Sequence, residues 1–179
     1  MSIVWWLLPI ALVALWIPQN YLHELSHAAI LWWYNRKVKI IPFPHKSADG
    51  KWKMAACYSE TPDGAPTMPD NARAQMYKAP WITNTLFVVA IACTVTAVFN
   101  PIVRTVLLAL MLTNLVDMFF NRWSLIVRKR KDSDDYRMYT NDWWRATMLE
   151  STPLWRARLD AVIWTVSPAL LGILSMFMH

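Results

Sequence analysis

From Ile3 to Tyr34 the chain is largely apolar, with a short polar cluster around Glu24, the only formally charged side chain in that stretch. At about 1.5 Å per residue, a helix over this run exceeds the ~30 Å hydrocarbon core of a bilayer. Its two ends carry Trp5 and Trp6, and Trp32, Trp33 and Tyr34, amphipathic aromatics that prefer membrane interfaces. Pro18 removes one backbone hydrogen bond and should kink the helix. No basic flank precedes the run and no small-residue cleavage site follows it, so the expectation is a retained anchor rather than a removable leader.

The polar cluster is His23-Glu24-Leu25-Ser26-His27. On a helix His23 and His27 lie on one face a turn apart, as two ligands of a single zinc require. Glu24 lies about 100° round from His23, near such an ion but not on it, where a general base for a water belongs. A lone histidine on an apolar helix is ordinarily a structural residue. A carboxylate and two imidazoles together in hydrocarbon are costly unless paired or metal-bound, which makes them functional candidates.

The chain has 179 residues, 56% of them hydrophobic, with 12 Trp and only 3 Gly, the profile of a membrane protein. The expected fold is an all-α polytopic membrane protein of about four transmembrane helices, with a β-hairpin after the first. Val38 to Ile41, the Asp49-Gly50 turn and the alternating Lys51 to Met54 predict the hairpin. Thr61 to Pro80 reads as linker enclosing a short helical piece over 70–79, and Trp81 to Phe99 as the second span. After the Asn100-Pro101 turn comes the third span, Ile102 to about Trp123; the fourth covers 161–179, opened by Asp160. Cys57 and Cys93 lack CxxC spacing and indicate neither a thiolate site nor a disulfide framework.

The net charge of +6 is a matter of topology, not of nucleic acid. Of 18 Lys and Arg, eight fall between Arg36 and Lys78, nine between Arg122 and Arg158, and Arg104 stands apart. Positive charge marks the cytoplasmic face, so both long loops are assigned inside and the N and C termini outside. His27 and Asp117 then lie at similar depth in the cytoplasmic half of the bilayer. Asp117, the second intramembrane acid, is the expected third zinc ligand. The alternative for it is a polar contact with Asn114 or Asn121.

These features resemble the site-2 protease family of intramembrane zinc metalloproteases. The resemblance rests on His-Glu-Leu-Ser-His-Ala at 23–28 in the first of three spans, the hairpin after it, and Asp117 late in the third; it covers roughly residues 3 to 125. It implies a three-helix metalloprotease core over 1–127 with the hairpin at 37–59, a cytoplasmic interfacial segment over 128–160, and a further helix. The chain departs from the family pattern where Met118 replaces the glycine after the aspartate. Ala79-Pro80 and Asn84 match the middle-helix pattern only in part.

The expected activity is cleavage of a transmembrane or juxtamembrane segment of a membrane-protein substrate near the cytoplasmic side. Zinc on His23, His27 and Asp117 would polarise the scissile carbonyl and acidify a water, and Glu24 would carry the proton to the leaving amine. The hairpin would hold the substrate as an added strand. Asn84 and Asn114 are candidates to steady the substrate or its oxyanion, the alternative being hydrogen bonds between helices. His45 is a further potential ligand, although an exposed loop histidine needs no metal. Two rivals stand beside this reading: a membrane zinc protease taking Glu60 or Glu150 as third ligand, and a metal-stabilised interaction protein without peptidase activity. Four histidines are too few for a histidine-rich di-iron site.

Overall fold

The computed structural model describes residues 3–47, 50, 52–64, 66–127 and 141–177. The basic cluster 128–131, Asp49 and Lys51 lie outside them. Helix α1 spans Leu7–Trp33, and Pro18 does not end it. Its end is written in Asn35, which takes a left-handed φ of 54°. Arg36 N–H bonds to Leu31 O and Asn35 N–H to Trp32 O, the paired bonds of a Schellman stop.

The stop turns the chain into β1 (Lys37–Ile41), followed by β2 (His45–Lys46), β3 (Trp52–Lys53) and β4 (Ala56–Glu60). Strand β1 pairs antiparallel with β4, from Lys37↔Glu60 to Ile41↔Ala56, and β2 pairs with β3. The Lys51 to Met54 alternation therefore does not face β1. Its Trp52 and Lys53 close a small inner pair with His45 and Lys46, and the longer partner of β1 is supplied by 56–60.

Helix α2 runs unbroken over Asp70–Val95. The separate linker helix and second span of the sequence reading are thus one element, because Pro80 costs a single backbone bond while the flanking turns continue. Helix α3 covers Pro101–Val127. Asn100 Oδ1 caps it by accepting from Ile102 N–H and Val103 N–H, with Pro101 in the first-turn position that tolerates a missing donor. Helix α4 (Asp142–Leu149) and helix α5 (Leu154–Phe177) complete the chain. Helix α5 starts a full turn and more before Asp160, taking Arg156 and Arg158 into its first turns.

Among the described residues, three helices are long and apolar enough to cross a membrane: α2, α3 over Pro101–Phe120, and α5 over Leu154–Ser175. Helix α1 is not one of them, since Gln19, Asn20 and the histidine cluster dilute its apolar stretch. It nevertheless packs along both α2 and α3. The main core joins Val88, Ile91, Ala92 and Val95 of α2 to Leu108, Met111 and Met118 of α3. A second cluster joins Trp143 and Trp144 of α4 to Ala157 and Ala161 of α5, with Trp81 of α2 against it. Helix α4 is therefore docked on the bundle by two buried indoles.

Gly172 allows α5 to approach α3 closely, for a Cβ there would stand 3.0 Å from Met111 Sδ. Gly172→Leu should overpack this crossing, at a cost of about 1–3 kcal/mol. The measurement is the thermal unfolding midpoint in detergent, and an unchanged midpoint would contradict the close packing.

Candidate metal centre

Helical spacing brings the two imidazoles together, with ring centroids 5.1 Å apart. What their nitrogens face is decided by other helices. His23 Nδ1–H donates to Asp117 Oδ2 of α3 at 2.8 Å. His27 Nδ1–H donates to the Met76 carbonyl of α2 at 2.8 Å. With each proton committed to Nδ1, a neutral ring presents a lone pair on Nε2.

The Met76 carbonyl is open for a physical reason. It is the acceptor that the amide of residue 80 would normally use, and residue 80 is proline. The helix loses a bond at Pro80, and the freed oxygen fixes the tautomer of His27. Pro168 does the same in α5: the carbonyl four residues back, Trp164, accepts from Arg122 Nη1 at 2.8 Å.

Both Nε2 atoms point to a third group, Asp142, the first residue of α4. Its Oδ2 lies 3.1 Å from His27 Nε2 and 3.5 Å from His23 Nε2. The Asn141 side chain, accepting from Trp143 N–H and Trp144 N–H, caps α4 and so sets where Asp142 begins. Burial alone would raise the Asp142 carboxyl, but His27 and His23 outweigh it through charge and hydrogen bonding and hold it well below the usual carboxylate range. The Asp142 oxygen thus faces two imidazole Nε2 atoms at 3.1 and 3.5 Å, and with both ring protons on Nδ1 all three are acceptors that need a proton or a cation among them.

Two of the three donor separations suit a zinc-sized cation. Two donors at 2.0–2.1 Å from one tetrahedral ion stand about 3.3–3.4 Å apart, and the two separations from Asp142 bracket that value. His23, His27 and Asp142 are the group whose ligand atoms all lie within 4.8 Å of one another among the described residues. Beside it is a cavity of about 10 Å³, lined in part by His23, Asn84, Asp117, Arg122 and Asp142. That is room for about one water.

The other candidates fall as follows. Asp117 does reach His23, but through Nδ1, the nitrogen on the far side of the ring from Nε2. Asn84 Nδ2 donates to the same Asp117 oxygen at 2.6 Å, and Gln19 Nε2 donates to Asn84 Oδ1 at 3.0 Å, so a chain of hydrogen bonds links α1, α2 and α3 behind His23. Asn114 is fully buried and donates to Leu110 O within its own helix. Glu24 is buried beside the pair. The β1 and β4 strands pack against α1, and burial, with the Glu24 charge adding to it, pushes the Cys57 thiol of β4 up to about 12. His45 bonds Phe43 O and Tyr58 Oη in the sheet. Glu150 pairs with Lys78, and Glu60 ends β4 opposite Lys37; neither joins the ligand group.

Arg122 was counted above with the cytoplasmic loop, yet it is fully buried. Its guanidinium lies 5.0 Å from the Trp81 ring centre and 5.5 Å from that of Trp143, and its Nη1 also donates to Thr165 Oγ1. Stacking between indoles and the proline-freed carbonyl keep this cation inside the bundle. Gln19, Met76, Arg122 and Asp142 are the site residues that sequence reasoning passed over. Pro80 and the Asn141 cap were the available signals for two of them.

Pro80→Ala returns an amide N–H to Met76 O, where it competes with His27. Loss of such an outer partner costs about 10–100-fold in metal affinity. Zinc titration against a competing chelator should show that weakening, with the helix itself no less stable; unchanged affinity would remove the tautomer argument. Comparison with protein-family models, with curated proteins and with solved structures finds no match to this chain.

Proposed function

We propose that this chain is a zinc-dependent endopeptidase of the site-2 protease kind, cutting a membrane-protein substrate at a transmembrane or juxtamembrane segment. The observation that carries the reading is the commitment of both Nδ1 protons, to Asp117 and to Met76 O, so that both Nε2 atoms share one centre with a carboxylate. Histidines that ligate a metal are held in this manner by partners on the other ring nitrogen.

When bound, zinc supplies Lewis-acid polarisation of the scissile carbonyl and acidification of a water. Glu24, next in sequence to His23, accepts that water's proton and delivers it to the leaving amine. Asp117, braced by Asn84 and Gln19, holds the His23 ring. The β1–β4 sheet lies against α1, and an edge of it receives the substrate as an extended strand, since a peptide bond within an intact helix is shielded.

In this reading α1 is a fourth membrane helix beside α2, α3 and α5. Exposed Trp5, Trp6, Trp32 and Trp33 at its two ends support that placement, as do exposed Ile10, Val13 and Ile17 between them. The long basic loops are cytoplasmic and the termini outside. The test is cleavage by detergent-purified protein of a peptide containing an apolar helix: activity should need zinc, stop on chelation and return with added zinc. Cleavage indifferent to chelation, or none by zinc-loaded protein on any such peptide, rejects the reading.

A further inference from the structure

We infer that Asp142 is a protein ligand of the ion, so that the centre is completed by α4 rather than by the first three helices alone. This rests on the zinc reading above. The sequence reading placed Asp117 in that role, and the two carboxylates occupy opposite sides of His23. Asp117 takes Nδ1, whereas Asp142 takes Nε2 and reaches His27 Nε2 as well with the same oxygen. With both Nδ1 protons committed, a single ion can be shared by the imidazoles only where their Nε2 atoms converge, and among the described residues Asp142 is the carboxylate on that side.

The surroundings of Asp142 are built for one position. The Asn141 cap sets the start of α4, and Trp143 and Trp144 are buried immediately after it. Trp143 packs edge-on to Trp81 with ring centres 5.2 Å apart, and its Nε1–H donates to Ala157 O of α5. Asp142 is therefore carried by a docked helix start, not by a free loop. The helix N-terminus also favours an anionic side chain in its first turn. Asp117 is assigned as a positioning residue, fixing the ring and tautomer of His23 from behind.

The experiment uses full-length protein loaded with cobalt(II). In Asp142→Cys a thiolate at the ion adds a sulfur-to-cobalt charge-transfer band in the near ultraviolet that the wild type lacks. That band supports the assignment, and cobalt held at the wild-type level without it overturns the assignment. Asp142→Asn, which keeps size and leaves the Asn141 cap in place, provides a second measurement: zinc affinity about 10²-fold weaker or more supports a ligand, and wild-type affinity overturns it. Asp117→Asn should weaken binding less and leave the cobalt spectrum tetrahedral; loss of zinc there with full zinc in Asp142→Asn would return the ligand role to Asp117. A folded wild type that takes up neither zinc nor cobalt defeats the zinc reading itself, a result distinct from all of these.

Discussion

Glu24→Gln should lower peptide cleavage by about 10²–10⁴-fold, the contribution of a positioned general base, while zinc content stays at the wild-type level. The amide keeps the size of the side chain and its place on the buried face of α1, but it cannot take a proton from water. Glu24 is not among the three groups whose ligand atoms converge, so its loss should not empty the site. The measurement pairs a cleavage rate with metal analysis of the same sample. A fall in both would make Glu24 a ligand or a fold residue. An unaltered partner-binding function in a protein that never cleaves would favour the metal-stabilised interaction protein instead.

His27→Ala should cost zinc affinity about 10²-fold or more. Apparent zinc binding free energies of about 10–16 kcal/mol spread over the ligands of a site make each worth roughly 3 kcal/mol, and 1.4 kcal/mol is a factor of ten. The effect should exceed that of Pro80→Ala, which leaves the ligand in place and disturbs only its tautomer. The same substitution also strands Asp142, which among the described residues would keep charge partners only in His23 and, at 3.9 Å, in Arg145. Zinc per chain by elemental analysis is the direct measurement, with circular dichroism to establish that the helices persist. Full zinc in a folded His27→Ala protein would place the ion elsewhere.

The proline-freed carbonyls join these predictions to the architecture. Each of α2 and α5 gives up one backbone bond, at Pro80 and at Pro168, and in each the released oxygen accepts from a side chain at the site, His27 or Arg122. In a protein interior an unpaired carbonyl is costly, so the break and its partner belong together. Without the proline the same oxygen would already accept a backbone N–H and the side chain would have to share it, and a proline without the side chain would leave an orphan acceptor.

What the sequence determined by itself was local. Turns of one helix placed His23 and His27 on one face and Glu24 beside them, because helical periodicity acts within four residues. Asn100-Pro101 marked the start of α3, and the apolar runs of α2, α3 and α5 marked helices able to cross a membrane. Pro80 was visible too, but it was read as a boundary when the chain uses it as a break inside a continuous helix. The tertiary structure alone decided what each ring nitrogen meets. Asp142 lies 115 positions from His27, and Gln19 lies 65 from Asn84. Helices that are apolar nearly all round carry no amphipathic stripe to say which face turns inward. Their rotation and depth are set by packing, through small residues such as Gly172 and anchors such as Trp143. Those contacts, rather than any spacing in the chain, put Asp117 behind His23 and Asp142 in front of it.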